Sequence, residues 1–241
     1  MEKVTLFCLP NAGGSAVMYL KWKKYLSPYI EIYPIEIAGR GKRVDEPLFT
    51  NVDEIVSDIY GLIKSQVDKQ PYAIFGYSMG SLVGFELCQK LKRNGHKEPV
   101  HFFTASLEAP QFVAKKKSIY NLPMEEFKRE VLKFNGIPQE IANDISLLNY
   151  FLSILKSDFK AMDTYEYSNE TMLMETNITI LCGEEDNFSL DNVYGWKKLT
   201  IGESIVHKFS GGHFFINNNL IEVIEKVNQA IERGELGNVH N

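Results

Sequence analysis

The stretch Tyr72-Ala73-Ile74-Phe75-Gly76-Tyr77-Ser78-Met79-Gly80 joins a short apolar run to a serine flanked by glycines. A helical pattern follows at residues 81–92, and Gly95 comes just after its end. A Gly-x-Ser-x-Gly motif between a strand and a helix is typical of a sharp turn that exposes a nucleophilic serine. The glycines remove side chains that would collide with neighbouring backbone, and the helix directs the positive end of its dipole towards the serine. The stretch therefore predicts Ser78 as a nucleophile. A glycine-rich βα turn without chemistry is the alternative.

Short apolar runs alternate with longer helical patterns along most of the chain. This alternation predicts an α/β fold in which a mostly parallel central sheet has helices on both faces. The nucleophile motif narrows the prediction to the α/β-hydrolase fold. From about residue 111 to 170 only helical patterns occur, and we interpret them as a helical cap (lid) inserted in a single domain, 1–241. The predicted strands are 4–9, 30–35, 72–75, 100–105, 177–183 and 204–209, and the main predicted helices are 52–67, 81–92 and 220–233.

Composition excludes several classes of function. The net charge of −5 argues against nucleic acid as a partner. No run approaches the roughly 18 apolar residues of a membrane span, and the first residues do not resemble a signal peptide, so we expect a cytoplasmic protein. The histidines and cysteines lack metal-ligand spacing. We expect buried free thiols at Cys8, Cys88 and Cys182.

A serine nucleophile needs a base, which in this fold comes after the acid in the chain. His213 lies in Gly211-Gly212-His213-Phe214-Phe215, directly after the last predicted strand. Loops at this edge of a parallel sheet form active sites, so His213 is the predicted base. The other four histidines fit less well, because two come too early, one lies within a strand and one in a polar tail: His96, His101, His207 and His240.

The predicted acid follows the strand at 177–183. Asp186 lies several residues into the next loop, where it would accept a hydrogen bond from the His213 ring. Glu184 and Glu185 are alternatives, and all three carboxylates could simply be surface charges.

Two backbone N–H groups are expected to form an oxyanion hole. The first belongs to Met79, the residue after the nucleophile. The second comes from the loop Leu9-Pro10-Asn11-Ala12-Gly13-Gly14, where we favour Ala12 and keep Asn11 as the alternative. This loop is not a phosphate-binding loop, because the glycine and lysine spacing of those motifs is absent.

Taken together, these motifs resemble the type II thioesterases that accompany nonribosomal peptide and polyketide synthases. Leu9 stands where the family often has Phe, and Ala38 stands where it usually has Pro before the glycine. Neither departure touches the predicted triad. The stretches that carry the resemblance are Leu9–Gly14, Ala38–Arg43 with Glu46-Pro47, Gly76–Gly80 and Gly211–Phe215, and weaker matches are Lys156–Phe159 and Gly195-Trp196.

The resemblance implies a monomeric enzyme that removes acyl groups from the phosphopantetheine thiol of a carrier domain. No cofactor of its own is expected, because the substrate carries the phosphopantetheine. Residues 1–43 contain seven basic and three acidic side chains, which could steer an acidic carrier or could simply be a solvated surface. Its candidate residues are Arg40, Lys42 and Arg43, or the run Lys115–Lys117, although Arg40 could instead bond loop carbonyls.

Phe151 is a candidate for the acyl pocket, with packing inside the cap as the alternative. Two other functions stay open at this point. One is an esterase or lipase that acts on free small esters or acyl-coenzyme A, and the other is a non-catalytic module that binds carriers.

Overall fold

A computed structural model describes residues 2–113, 118–133, 137 and 139–238, with only the backbone of 140 and 234–238. Within these residues, six strands pair in parallel in the order β2-β1-β3-β4-β5-β6. The mostly parallel sheet predicted from the sequence is confirmed. The strands are β1 (Val4–Leu9), β2 (Ile30–Pro34), β3 (Tyr72–Tyr77), β4 (His101–Ala105), β5 (Asn177–Gly183) and β6 (Ser204–Phe209).

Helices cover both faces of the sheet, as the alternating pattern predicts. The first helix, α1, begins after Asn51, whose side chain accepts a hydrogen bond from the N–H of Glu54. It ends at Ile63, before the predicted boundary at residue 67, because the chain turns there. The α-helices are α1 (Val52–Ile63), α2 (Met79–Arg93), α3 (Pro110–Val113), α4 (Met124–Leu132), α5 (Gln139–Ala142), α6 (Ile145–Asp163), α7 (Leu190–Tyr194), α8 (Phe215–Asn218) and α9 (Leu220–Asn238), and the 3₁₀ helices are Ala16–Lys24, Gly41–Arg43 and Gly195–Leu199.

Strand β1 shows how the sheet separates two cores. Alternate side chains of a strand point to opposite faces. Phe7 and Leu9 therefore join the core formed with α1 and α2. The side chains on the other face join a core formed with α9 and the 3₁₀ helix Ala16–Lys24; they are Val4, Leu6 and Cys8.

The chain between β4 and β5 contains helices α3 to α6 in the region where the sequence predicts an insertion. A third apolar cluster lies here, with Phe127 and Leu152 fully buried in it and Ala12 packed against it. Helix α6 is also tied to the loops after β2, because the hydroxyl of Ser157 donates to the carbonyl of Phe49.

Cys8, Cys88 and Cys182 are buried free thiols, as predicted. Among the helices that the structure describes, none combines the length and the apolarity needed to cross a bilayer.

Candidate active site

Ser78 lies at a strained turn between β3 and α2. Its φ of +52° is in the region that residues with a side chain rarely adopt. A Cβ atom on Gly76 would come within 2.3 Å of the Gly80 carbonyl oxygen, and one on Gly80 within 2.2 Å of the Leu9 carbonyl oxygen. Both glycines are therefore required by close backbone approach. Helix α2 begins at Met79, two residues before the predicted start, because this turn leads directly into it.

The structure brings the three predicted triad residues together. The Nε2 atom of His213 lies 3.0 Å from the hydroxyl oxygen of Ser78. Its Nδ1 atom lies 3.2 Å from Oδ2 of Asp186. These residues follow β3, β6 and β5, whose carboxyl ends meet at one edge of the sheet. The arrangement can move a proton from the serine to the imidazole while the carboxylate faces the developing positive charge.

Two hydroxyl groups hold the backbone of His213 in this position. The carbonyl of His213 accepts hydrogen bonds from the Tyr77 hydroxyl at 2.9 Å and from the Ser106 hydroxyl at 2.7 Å. Ser106 itself has a φ of +50°, a second strained position directly after β4. Burial raises the pKa of Tyr77, so that its hydroxyl keeps the proton that it donates. Sequence reasoning missed both residues, although Tyr77 lies inside the nucleophile motif.

The acid loop is built against the histidine loop. A Cβ atom on Gly183 would come within 2.4 Å of the carbonyl oxygens of Gly211 and Gly212, so glycine permits the two loops to touch. The N–H of Glu185 donates to the carbonyl of Gly211 at 3.0 Å. The Asp186 side chain is 8% exposed and is the one of the three candidate carboxylates that contacts His213. Glu184 and Glu185 therefore do not take the predicted place of the acid.

The predicted oxyanion donors belong to the residue after Ser78 and to the loop after β1. The N–H of Met79 is the first of helix α2 and has no partner within the helix. Ala12 and Asn11 both line the cavity beside Ser78, and the Asn11 side-chain amide donates to the Ala12 carbonyl. The choice of Ala12 over Asn11 stays a prediction.

Arg40 lies inside the protein and not on a surface open to a partner. It is 3% exposed and forms a bidentate ion pair with Asp158 of α6, with N–O distances of 2.6 and 2.7 Å. The same carboxylate accepts the N–H of Gly13 at 2.7 Å. Arg40 also donates to the Gly14 carbonyl at 3.3 Å, which is the structural role that the sequence left as the alternative. The ion pair thus joins helix α6 to the loop that carries Ala12.

Arg43 is also engaged by carboxylates of its own chain. Its guanidinium pairs with Glu46 and with Asp58 of α1. These hydrogen bonds raise the pKa of Arg43 further above its usual range. With its charge compensated within the chain, Arg43 is a weak candidate for binding a carrier. The run Lys115–Lys117 lies outside the described residues.

A cavity of about 720 Å³ opens beside Ser78 and His213. Its wall is mostly apolar, and much of it comes from the helices between β4 and β5. Phe151 lines it and also lies against Gly13, where an added Cβ atom would be 2.9 Å from the ring. The main apolar residues of the wall are Leu107, Val113, Ile119, Val131, Ile137, Ile141, Phe151, Leu155, Phe159, Met162 and Phe188.

The remaining described histidines lie away from this site. His96 contacts Tyr60 and Asp68, and His101 contacts Thr179. His207 lies on the edge strand β6, where burial and nearby cations lower its pKa. His240 lies beyond the described residues. In the part of the chain that the structure describes, no cluster of histidine, cysteine or acidic side chains is arranged to hold a metal ion.

Comparison with known proteins identifies the family of this chain. The sequence profile of the thioesterase domain matches residues 4–231. The gramicidin S biosynthesis protein GrsT of Aneurinibacillus migulanus is 33% identical over 224 residues, which cover 92% of this chain and 87% of that protein. The crystal structure of ClbQ from the colibactin NRPS/PKS pathway has a TM-score of 0.93 and 31% sequence identity to this chain. The match covers 98% of this chain and 99% of the ClbQ chain. The structure of the type II thioesterase BorB from the borrelidin biosynthetic cluster has a TM-score of 0.86 and 25% sequence identity. The match covers 95% of this chain and 93% of the BorB chain. The chain therefore belongs to the thioesterase family of α/β-hydrolase enzymes.

Proposed function

We propose that this enzyme hydrolyses acyl groups from the phosphopantetheine thiol of carrier domains in nonribosomal peptide or polyketide synthesis. The observation that carries the proposal is the hydrogen-bonded chain from Ser78 through His213 to Asp186 at the side of an apolar cavity. The pathways named for GrsT and ClbQ support the choice of substrate. The enzyme acts in the cytoplasm as a monomer on a separate carrier and needs no cofactor.

The first half of the reaction transfers the acyl group to the enzyme. The hydroxyl oxygen of Ser78 attacks the thioester carbonyl while Nε2 of His213 takes its proton. The N–H groups of Met79 and Ala12 donate to the oxyanion, and one such donor contributes a factor of about 10²–10³ to kcat. The carbon–sulfur bond then breaks, and the thiolate leaves with the proton held by His213.

The second half returns the serine. Water gives a proton to His213 and attacks the acyl-Ser78 ester, and the tetrahedral intermediate releases the carboxylic acid as the serine oxygen takes the proton back. A thiol of pKa about 8.5 leaves more easily than an amine. Proton donation by His213 is therefore less demanding in the first half than it is for an amide substrate.

The cavity determines which acyl groups fit. Its apolar wall removes an acyl chain from water, which favours binding by about 25 cal/mol per Å² of apolar surface. Phe151 and its neighbours on α6 shape the acyl site in this proposal, and the helices between β4 and β5 act as its cap.

The proposal is tested by comparing one acyl group on three acceptors: a phosphopantetheinylated carrier domain, coenzyme A and a small alcohol. We expect kcat/KM to be highest on the carrier-bound thioester and to vanish in the Ser78→Ala variant, which still folds. A higher kcat/KM on the free ester would establish an esterase. Failure of a fluorophosphonate probe to label Ser78 would establish a non-catalytic module.

A further inference from the structure

The 3₁₀ helix Ala16–Lys24 has an outer surface with no role in the chemical steps of the proposed reaction. A 3₁₀ helix has three residues per turn, so positions three apart share a face. One face holds Tyr19 and Trp22, which are 0% and 1% exposed in the core beside the sheet. These two side chains anchor the helix in the core, and most of the other two faces is open to solvent or a partner.

The two outer faces combine apolar and cationic side chains. Val17 and Leu20 are 63% and 64% exposed, although each is a large apolar residue. Exposed apolar side chains next to one another are a usual mark of an interaction site. The second face carries Val17, Leu20 and Lys23, and the third carries Met18, Lys21 and Lys24.

The lysines of this surface are not held by carboxylates, whereas the Glu36 carboxylate accepts hydrogen bonds from Ser15 and Ala16 at the start of the helix. The helix contains no acidic residue. Within the described residues, Lys21, Lys23 and Lys24 form no ion pair with a carboxylate, and all three are exposed. Arg40 and Arg43, in contrast, are neutralised by their own chain. On a protein of net charge −5, the helix is therefore a local positive surface.

The helix also borders the cavity. Met18, on the third face, lines the cavity that contains Ser78. A partner seated on Lys21 and Lys24 would therefore lie close to the wall of the cavity in which a tethered acyl group meets the serine.

We propose that the outer faces of the helix Ala16–Lys24 dock the carrier domain. The occupant is a carrier with an acidic surface and exposed apolar side chains, since these complement the three lysines and the pair Val17 and Leu20. This inference rests on the proposed function, because the carrier is its substrate. Lysine charges at such a transient interface speed association and align the partner.

The test compares a carrier-bound acyl thioester with the same acyl group on N-acetylcysteamine, a thiol too small to reach the exposed lysines of the helix. The variant Lys21→Glu/Lys24→Glu is expected to lower kcat/KM on the carrier-bound substrate about tenfold or more, mostly through KM. Activity on the small thioester should stay within about twofold of the wild type. The variant changes no residue of the triad, and solvent and salt screen the exposed charges that it reverses. Rising salt should lower the wild-type rate on the carrier and affect the variant much less.

The control is Lys197→Glu/Lys198→Glu. It reverses two exposed lysines on the 3₁₀ helix Gly195–Leu199, which does not line the cavity. Its kcat/KM on both substrates should match the wild type. For the apolar part, Leu20→Asn should lower kcat/KM on the carrier-bound substrate, whereas Ile201→Asn, at a residue that is 71% exposed, should leave it unchanged.

The outcomes separate this inference from the proposed function. If the wild type hydrolyses the carrier-bound substrate and the helix variants do so equally well, the docking site is wrong and the proposed function stands. A parallel loss on both substrates in the helix variants also overturns the docking site, because the effect is then on the fold. If the wild type does not act on the carrier-bound thioester at all, the proposed function itself falls.

Discussion

The buried ion pair between Arg40 and Asp158 gives the sharpest prediction for stability. The variant Asp158→Asn keeps the shape of the side chain and removes its charge. Three groups then lose a charged acceptor: the two guanidinium nitrogens of Arg40, at 2.6 and 2.7 Å, and the N–H of Gly13 at 2.7 Å. Since Arg40 is 3% exposed, water cannot replace the carboxylate, and a buried charge is left without its partner.

Breaking a buried pair from one side costs about 3–5 kcal/mol. For a chain of this length, each kcal/mol corresponds to roughly 2–4 °C in Tm, so the variant should melt about 6–20 °C lower. Its kcat should also fall, because Gly13 adjoins the proposed oxyanion donor Ala12.

Urea unfolding followed by tryptophan fluorescence measures this loss, since Trp22 and Trp196 are both fully buried. The control Glu46→Gln removes the exposed partner of Arg43 and should change the free energy of unfolding far less. The double variant Arg40→Met/Asp158→Leu replaces the pair by apolar groups and should recover much of the stability. A loss below about 1 kcal/mol in Asp158→Asn would refute the reasoning, since that is the value of an exposed pair.

Three further changes have definite expected outcomes. Asp186→Asn should lower kcat by a factor of about 10⁴, because an amide favours the wrong tautomer of His213. Steady-state kinetics on a small thioester measures this loss. A loss below tenfold would exclude Asp186 as the acid. Gly80→Ala should abolish activity and lower Tm, because the added Cβ atom would lie 2.2 Å from the Leu9 carbonyl oxygen. A variant whose Tm equals that of the wild type would contradict the turn geometry. His101 is 5% exposed, and burial lowers its pKa to about 4, so the unfolded chain binds an extra proton below pH 6.5. The free energy of unfolding should therefore fall by about 2 kcal/mol more between pH 7 and pH 5 in the wild type than in His101→Gln, and equal pH profiles in urea titrations would show that His101 does not contribute.

Local patterns were enough to predict the sheet and the three residues that meet at its edge. The period of apolar residues defines each strand, and the carboxyl ends of parallel strands meet at one edge. Ser78, Asp186 and His213 each lie in the segment that follows a strand, so their convergence depends on the fold class and not on details of packing.

Contacts distant in sequence were not predictable in the same way. The residues around Arg40 predict a cation on the surface. Its partner Asp158 comes 118 residues later in the chain, on helix α6. Only the packing of α6 against the loops after β1 and β2 shows that the pair is buried. The hydrogen bond from Ser106 to the His213 carbonyl was also not predicted. A serine after a strand is common, and this bond joins residues that are 107 positions apart.

The central claim is that turnover proceeds through an ester on Ser78. Rapid quenching of the enzyme with a carrier-bound acyl thioester, followed by intact-mass and peptide mass spectrometry, tests it most directly. We predict a transient mass increase equal to the acyl group, located on Ser78, released at a rate consistent with kcat and absent from Ser78→Ala. Steady hydrolysis with no acylated enzyme at any time, together with wild-type rates in Ser78→Ala, would contradict the account.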